Sequence, residues 1–180
     1  MGIRTTITEK EIGEMKKELS SLEQAFDLLD VHILITDING NILYANKAAQ
    51  KMTGYSMQEM LGKNPGDLWG GHEPNSFYAN MWKTIKDDKK PFVGRVRNMN
   101  KNGFEYTQEL HITPLLDDRG SAKYFVSMQP DVTMQVRNEN QQVKNTQERT
   151  NLYNQLMQSE RRISDLTKKL IETPTEILKN

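Results

Sequence analysis

The sequence predicts an α+β domain, a five-stranded antiparallel sheet with short helices on one face, preceded by an amphipathic helix and followed by a long one. Three observations carry that expectation. Apolar residues near the N-terminus recur at 3 and 4 spacing, then give way at residue 31 to short alternating runs bounded by turn residues, and after residue 132 return to helical spacing with no turn signal before Pro174.

Ile12, Met15, Leu19, Leu22, Phe26 and Leu29 make a heptad seam, so a helix is expected over about 9–29. Its start is marked by Thr8 three residues before Glu11, a capping box, and by Ile7 and Ile12 at hydrophobic-staple spacing. The seam either packs on its own domain or pairs with a second chain. VHILITD and NILYA flank Asn39-Gly40 and read as a β-hairpin. NKAAQKMTG predicts a helix ended by Gly54, SMQEMLG one begun at Ser56 and ended by Gly62, and NSFYANMWKTIKDD a longer one. GKNPGDLWGG, without the Lys-Ser/Thr ending of a phosphate loop and not following a strand, reads as a loop. PFVGRVRNM, FEYTQELHITP and AKYFVSMQPDV are three strands, joined by turns at Lys101-Asn102-Gly103 and Asp117-Asp118-Arg119-Gly120. Leu152, Leu156, Ser159, Ile163, Leu166 and Leu170 follow heptad spacing, whereas Val132, Val136 and Val143 begin a seam in another register. A helix over about 40 residues extends about 60 Å at about 1.5 Å per residue, so it is expected to pair with something. The expected organisation is an N-terminal helix at 8–29, a domain at 30–132, a coiled-coil helix at 133–172 and a tail at 173–180.

Composition removes several function classes. The 180 residues carry 24 Lys+Arg and 24 Asp+Glu, so no net field favours nucleic acid or an anionic membrane. There is no cysteine, hence no disulfide, thiolate metal site or thiol nucleophile. No apolar run is long enough for a membrane span or a signal-peptide core, and a soluble cytoplasmic protein is expected. No nucleophile-elbow, kinase or zinc-hydrolase motif is present, so no enzyme activity is expected. No two of the three histidines have metal-site spacing, so no metal is expected.

The strand periodicity raises a sharper question. Phe92, Gly94, Val96 and Asn98 share one face of their strand, opposite Arg95 and Arg97; Gln108 shares a face with Leu110 and Ile112, opposite Thr107, Glu109 and His111. Two amides thus fall in phase with the apolar residues. In the last strand, Phe125, Ser127 and Gln129 form one face and Tyr124, Val126 and Met128 the other, and phase does not choose between them. A buried amide without partners costs roughly 1–3 kcal/mol, so these groups need a ligand or one another. A flat heteroaromatic ring with a polar edge would satisfy them. Internally, Asn98 can bond backbone beside its turn, and Gln108 can reach Gln129 across the sheet.

With these elements in place, the chain resembles the PAS sensor domain family over about residues 22–133. ITDINGNILYANKAAQKMTGYSMQEMLGKN is similar to the family's N-terminal half and NKNG…LHITPLLDDRGSAKYFVSMQPDVT to its C-terminal half, with Asp131-Val132-Thr133 where these domains carry Asp-X-Thr before the output helix. The resemblance implies a sensor that binds a small molecule between sheet and helices, or simply dimerises, and signals through flanking helices. It also selects the Phe125/Gln129 face as inward. Flavin-binding members, including the light-oxygen-voltage subclass, use amides on these three strands against the ring edge, which maps onto Asn98, Gln108 and Gln129.

The resemblance departs at one decisive point. Gly62-Lys63-Asn64-Pro65 stands where light-oxygen-voltage domains carry Gly-Arg-Asn-Cys, so cysteinyl-adduct photochemistry is excluded. HEPNSFYANMWKTIKDDKKPFVGRV looks instead like FAD-binding redox PAS domains of aerotaxis receptors and the nitrogen-fixation regulator, with Trp82 fitting and Phe92 replacing a usual Trp. The implied cofactor is a flavin, FAD before FMN, held by Asn98, Gln108, Gln129, Leu110, Ile112, Phe125, Trp82, Phe92, Asn64 and His32. Trp69 and Trp82 also suit a plain core, and His32 a packed core imidazole rather than a haem ligand. The implied partners are a second copy, through the flanking helices, and a downstream output protein. The alternatives are a ligand-free dimerisation adaptor, for which Gln108→Leu would stabilise a dry core, and the sensor fragment of a histidine kinase, cyclase or chemoreceptor.

Overall fold

The first strands are set by one carboxylate. Asp37 closes the hairpin turn by accepting at Oδ1 from the Asn39 and Asn41 amides, both at 2.8 Å, and Gly40 takes the left-handed conformation (φ +82°) that the turn requires. The strands on either side are β1 (His32–Asp37) and β2 (Ile42–Ala45). The computed structural model describes residues 9–172. Ile7, Thr8 and the tail at 173–180 lie outside them, as do the side chains of Ile12, Met15 and Leu19; the capping box, the staple and the first half of the N-terminal seam therefore fall outside the described residues.

The helix α1 spans Glu9–Asp27. Asn46 ties its end to the sheet: Nδ2 donates to the carbonyls of Phe26 and Val31, while Oδ1 accepts from Ile33 of β1 and from Ala49, capping α2 (Lys47–Thr53). Gly54 ends α2 in the left-handed region at φ +76°. Ser56 and Glu59 form a reciprocal capping box at α3 (Met57–Met60). The next segment corrects the sequence reading: GKNPGDLWGG is not a plain loop but contains a single helical turn, α4 (Pro65–Leu68). Asn64 caps it through Gly66 and Pro65 supplies its first residue, where the missing N–H costs nothing. The helix α5 is regular only over Asn75–Trp82; Lys83–Asp87 widens into a π-helical turn closed by Asp88 N–H on the Lys83 carbonyl at 2.9 Å.

Strands β3 (Phe92–Met99), β4 (Glu105–Leu116) and β5 (Ala122–Gln129) complete a five-stranded antiparallel sheet in the order β2-β1-β5-β4-β3. The predicted phase holds residue by residue: Phe92, Val96 and Asn98 are buried while Val93, Arg95 and Arg97 are exposed, and β5 buries Phe125, Ser127 and Gln129. Two apolar clusters fill the space between sheet and helices. Leu34, Ile42, Ala45, Ala49, Met60, Trp69 and Tyr106 form one, and Met81, Ile85, Phe92, Val96, Leu110, Ile112 and Phe125 the other.

Contacts divide the chain into Met1–Thr133 and Met134–Asn180. The second unit continues the helix α6 (Thr133–Glu172). Along it Leu152, Leu156, Ile163, Leu166 and Leu170, most of the predicted seam, are exposed. No described helix is long and apolar enough to cross a membrane.

Candidate functional site

A cavity of about 350 Å³ opens between the inner face of the sheet and the segment from Asn64 to Ile85. Its sheet wall comes from β3, β4, β5 and β1, with Val96, Leu110, Ile112, Phe125 and Leu34 supplying apolar surface. Trp69, Met81, Trp82 and Ile85 close the helical side; Met81 and Ile85 lie four apart, one in α5 and one in the π-helical turn. Polar side chains enter the lining at both ends of the strands, Asn98, Ser127 and Gln129 toward one end and Thr36 and Asn64 toward the β1–β2 turn. A cavity with mostly apolar walls and a few amides suits a flat heteroaromatic ligand better than a charged one.

Close packing around the sheet appears at two glycines, of which Gly40 lies in the cavity wall. A Cβ on Gly40 would stand 2.8 Å from Asn64 Nδ2 and 2.9 Å from the Trp82 ring, and one on Gly94 would stand 2.9 Å from the Phe92 ring. Glycine lets the β1–β2 turn approach Asn64 and Trp82 in the cavity wall, and lets β3 approach the Phe92 ring in the core.

The amides do not play equal parts. Gln129 donates from Nε2 to Ser127 Oγ at 2.8 Å, and its Oε1 has no hydrogen-bond partner among the described residues. Asn98 lines the cavity and donates from Nδ2 to Gln108 Oε1 at 2.8 Å. Gln108 sits behind them. Fully buried, it donates from Nε2 to His32 Nδ1 and to the Gln129 carbonyl, each at 2.9 Å, with Met52 Sδ at 3.1 Å. It does not line the cavity, and its amide is engaged at both ends by other parts of the fold.

Seven of the ten residues assigned from sequence meet in the cavity wall: Asn64, Trp82, Asn98, Leu110, Ile112, Phe125 and Gln129. Gln108, His32 and Phe92 do not line it. Phe92 turns into the core against Phe77, with ring centroids 5.6 Å apart and nearly perpendicular. His32 is buried beside Trp69, its Nδ1 taken by Gln108 and its Nε2 without a partner; burial holds its pKa down at about 3. Burial also pushes the Tyr106 phenol well above its usual range, with Asn98 acting in the opposite sense. His111 is exposed and pairs with Glu109. No described cluster of three His, Cys, Asp or Glu side chains can hold a metal.

Sequence reasoning missed Thr36, Ser127, Trp69, Met81 and Ile85 as wall residues. For Thr36 and Ser127 the signal was present, because each is in phase with an inward neighbour, Leu34 and Gln129. Trp69, Met81 and Ile85 read equally well as core, and burial on the helical side leaves no periodic difference between core and wall.

The PAS domain family matches residues 30–134. A nitrogen fixation regulatory protein of Klebsiella oxytoca is 35% identical over 104 residues, 58% of this chain and 21% of that protein. Phototropin-2 of Oryza sativa subsp. japonica is 34% identical over 120 residues, 67% of this chain and 13% of that protein. Among solved structures, an RNA-binding light-oxygen-voltage receptor has the same fold, with a TM-score of 0.63 over 82% of this chain and 40% of its own, at 21% identity. The chain thus spans only a small part of the length of either curated relative.

Proposed function

Because the chain belongs to the PAS domain family, we propose that it is a cytoplasmic sensory module that holds a flavin in the cavity and passes the flavin's redox or light-driven state through α6 to an output partner or domain. In this reading it works as a homodimer through α1 and α6 and has no catalytic activity of its own. The observation that carries the reading is the Gln129 amide, which lines a mostly apolar cavity with its oxygen uncommitted. The names of relatives, a nitrogen fixation regulator, a phototropin and blue-light-activated histidine kinases, support a sensor of this kind.

A bound flavin supplies a ring nitrogen that accepts a hydrogen bond when oxidised and donates one when reduced. Gln129 can serve both states by turning its amide over. Ser127 makes that turn inexpensive, since its hydroxyl accepts from Nε2 in one orientation and donates to Oε1 in the other. The Gln129 carbonyl is held by Gln108, and the chain runs through Pro130 and Asp131 to the first residue of α6. Four hydrogen bonds pin this path to β4: Gln108 to the Gln129 carbonyl, Glu109 N–H to the Pro130 carbonyl, Val132 N–H to the Thr107 carbonyl, and Thr107 N–H to Thr133 Oγ1. A shift of Gln129 therefore reaches the start of α6 through main chain and sheet pairing.

The saturation of Gln108 by internal partners favours a second reading, a ligand-free dimerisation module whose helices do the work. The visible absorption spectrum of the purified protein separates the two. A flavin spectrum, present as purified or regained on adding FAD or FMN, supports the sensor; a colourless protein that regains none leaves the dimerisation module.

A further inference from the structure

We infer that the cavity recognises the ring of its ligand and is indifferent to any phosphate on the ligand's tail, so that riboflavin, FMN and FAD bind with closely similar affinity. This rests on the flavin reading and deepens it. Four observations support it.

The cavity, about 350 Å³, is at the low end of the roughly 300–1,000 Å³ range of pockets that bury a whole ligand of drug size. It has room for a flat three-ring system and not for a dinucleotide tail. None of the described residues lining it is Lys or Arg, and its one charged group is the carboxylate of Asp67, an exposed, solvent-screened residue that offers a phosphate no attraction.

Main-chain donors offer no substitute. The glycine-rich segment has the composition of a phosphate cradle, but its amides are committed. Gly66 donates to Asn64 Oδ1, Asp67 to the Asn64 carbonyl, Trp69 and Gly70 to the Pro65 carbonyl, and Gly71 to the Tyr78 hydroxyl. A phosphate placed there would have to break these bonds to gain others.

Of the lysines nearby, Lys63 beside Asn64 and Lys86 beside Ile85 are exposed and do not line the cavity, and two others are engaged. A shallower hollow shares Gly66, Asp67, Trp69 and Gly70 with the cavity, and its single lysine, Lys101, pairs with Glu59 and lies over the Tyr55 ring. Lys83, next to Trp82 in the wall, is paired with Asp88. The expectation of FAD before FMN thus has support from resemblance alone and none from the wall.

The test is a fluorescence-quenching titration of the full chain, freed of any bound flavin, with riboflavin, FMN and FAD in parallel. The expected result is three dissociation constants within about threefold of one another, unchanged by a tenfold rise in salt. FMN or FAD binding about tenfold tighter than riboflavin, with the advantage lost in salt, would overturn the inference and leave the flavin reading standing. If none of the three binds, the flavin reading itself fails and takes the inference with it. Asp67→Lys adds an independent arm: because Asp67 is exposed at the cavity edge, the variant should keep its fold and gain a salt-sensitive preference of about tenfold for FMN and FAD over riboflavin. An unchanged ratio would show that the tail does not pass Asp67 and would overturn the electrostatic basis of the inference.

Discussion

Gln108 on β4 reaches across β5 to donate to Nδ1 of His32 on β1 at 2.9 Å. The same amide nitrogen also donates to the Gln129 carbonyl, which can only accept, so the orientation of the amide is fixed. With Nδ1 accepting, the neutral imidazole carries its proton on Nε2, which has no hydrogen-bond partner and lies within the apolar cluster beside Trp69. A protonated imidazole would set Nδ1–H against an N–H donor, which is why this site resists charging.

Stability should therefore fall with acid in a defined window. His32 has its folded pKa lowered to about 3, whereas the unfolded chain titrates near 6.5. Protons bind the unfolded state preferentially between these values, so the stability is complete above about pH 6.5 and is lost as pH falls toward 3. The slope is about 1.4 kcal/mol per pH unit, or about 2 kcal/mol between pH 6.5 and 5. Glu59, whose pKa is held down at about 2 chiefly by Lys101, and Glu109, held down chiefly by His111, lose their contributions only at lower pH. Urea melts between pH 7 and 5 should show this loss, and His32→Leu should flatten the slope. A wild-type stability that does not change over this interval would refute the buried neutral imidazole.

Gln108→Leu should destabilise the domain, contrary to the expectation that a leucine would stabilise a dry core. The substitution removes a donor to His32 Nδ1 and to the Gln129 carbonyl, and an acceptor for Asn98 Nδ2, in a place without exposure to water. With each orphaned group costing roughly 1–3 kcal/mol, partly offset by apolar burial, a net loss of about 2–4 kcal/mol is expected in urea unfolding. Gln108→Glu keeps the shape but brings a charge, and should be worse at neutral pH than at low pH.

This network also marks where the sequence ceases to be informative. Strand phase placed Asn98 and Gln108 inward without any knowledge of packing, because alternate side chains must face opposite sides, whereas in β5 phase left both faces open and only the family resemblance selected that of Gln129. Phase says which face a side chain takes, not which neighbour it meets. The His32–Gln108 bond joins residues 76 apart through a strand order in which β5 inserts between β1 and β4, and nothing local encodes that order. The π-helical turn after Trp82 was invisible for another reason: NSFYANMWKTIKDD has ordinary helical composition, and nothing in it distinguishes a turn that widens while burying Ile85 in the same apolar cluster as Met81.

Gly40→Ala and Gly103→Ala together should separate backbone strain from crowding. Both glycines are left-handed, at φ +82° and +83°, but a Cβ on Gly40 would meet Asn64 and the Trp82 ring below 3 Å, whereas one on Gly103 meets nothing within 4 Å. Gly103→Ala should cost only the left-handed penalty of about 1–2 kcal/mol. Gly40→Ala should cost more, by about 1–3 kcal/mol, and should weaken ligand binding because the residues displaced form the cavity wall. Thermal melts of the two variants check the first difference and a ligand titration the second; equal melting temperatures would mean that Trp82 and Asn64 move aside freely.

Thr133→Ala should loosen the start of α6 without unfolding the sheet. Thr133 Oγ1 accepts from the Thr107 amide at 2.8 Å and donates to Asp131 Oδ1, which in turn accepts from the Thr133 amide at 2.8 Å. The hydroxyl is thus the bridge between β4 and the first residue of the helix, and Asp131 forms the turn that aims it. Removing it leaves the Thr107 N–H without its acceptor at a half-buried site, at a cost of about 1–2 kcal/mol. Hydrogen exchange at Thr107 should then accelerate by about tenfold or more, while exchange in the centre of β4, at Leu110 and Ile112, should be little changed. Thr133→Ser retains the hydroxyl and should restore the slow rate. Protection of Thr107 that survives in Thr133→Ala would mean that the main-chain bonds Val132 N–H to Thr107 and Glu109 N–H to Pro130 suffice to hold the start of α6 to β4.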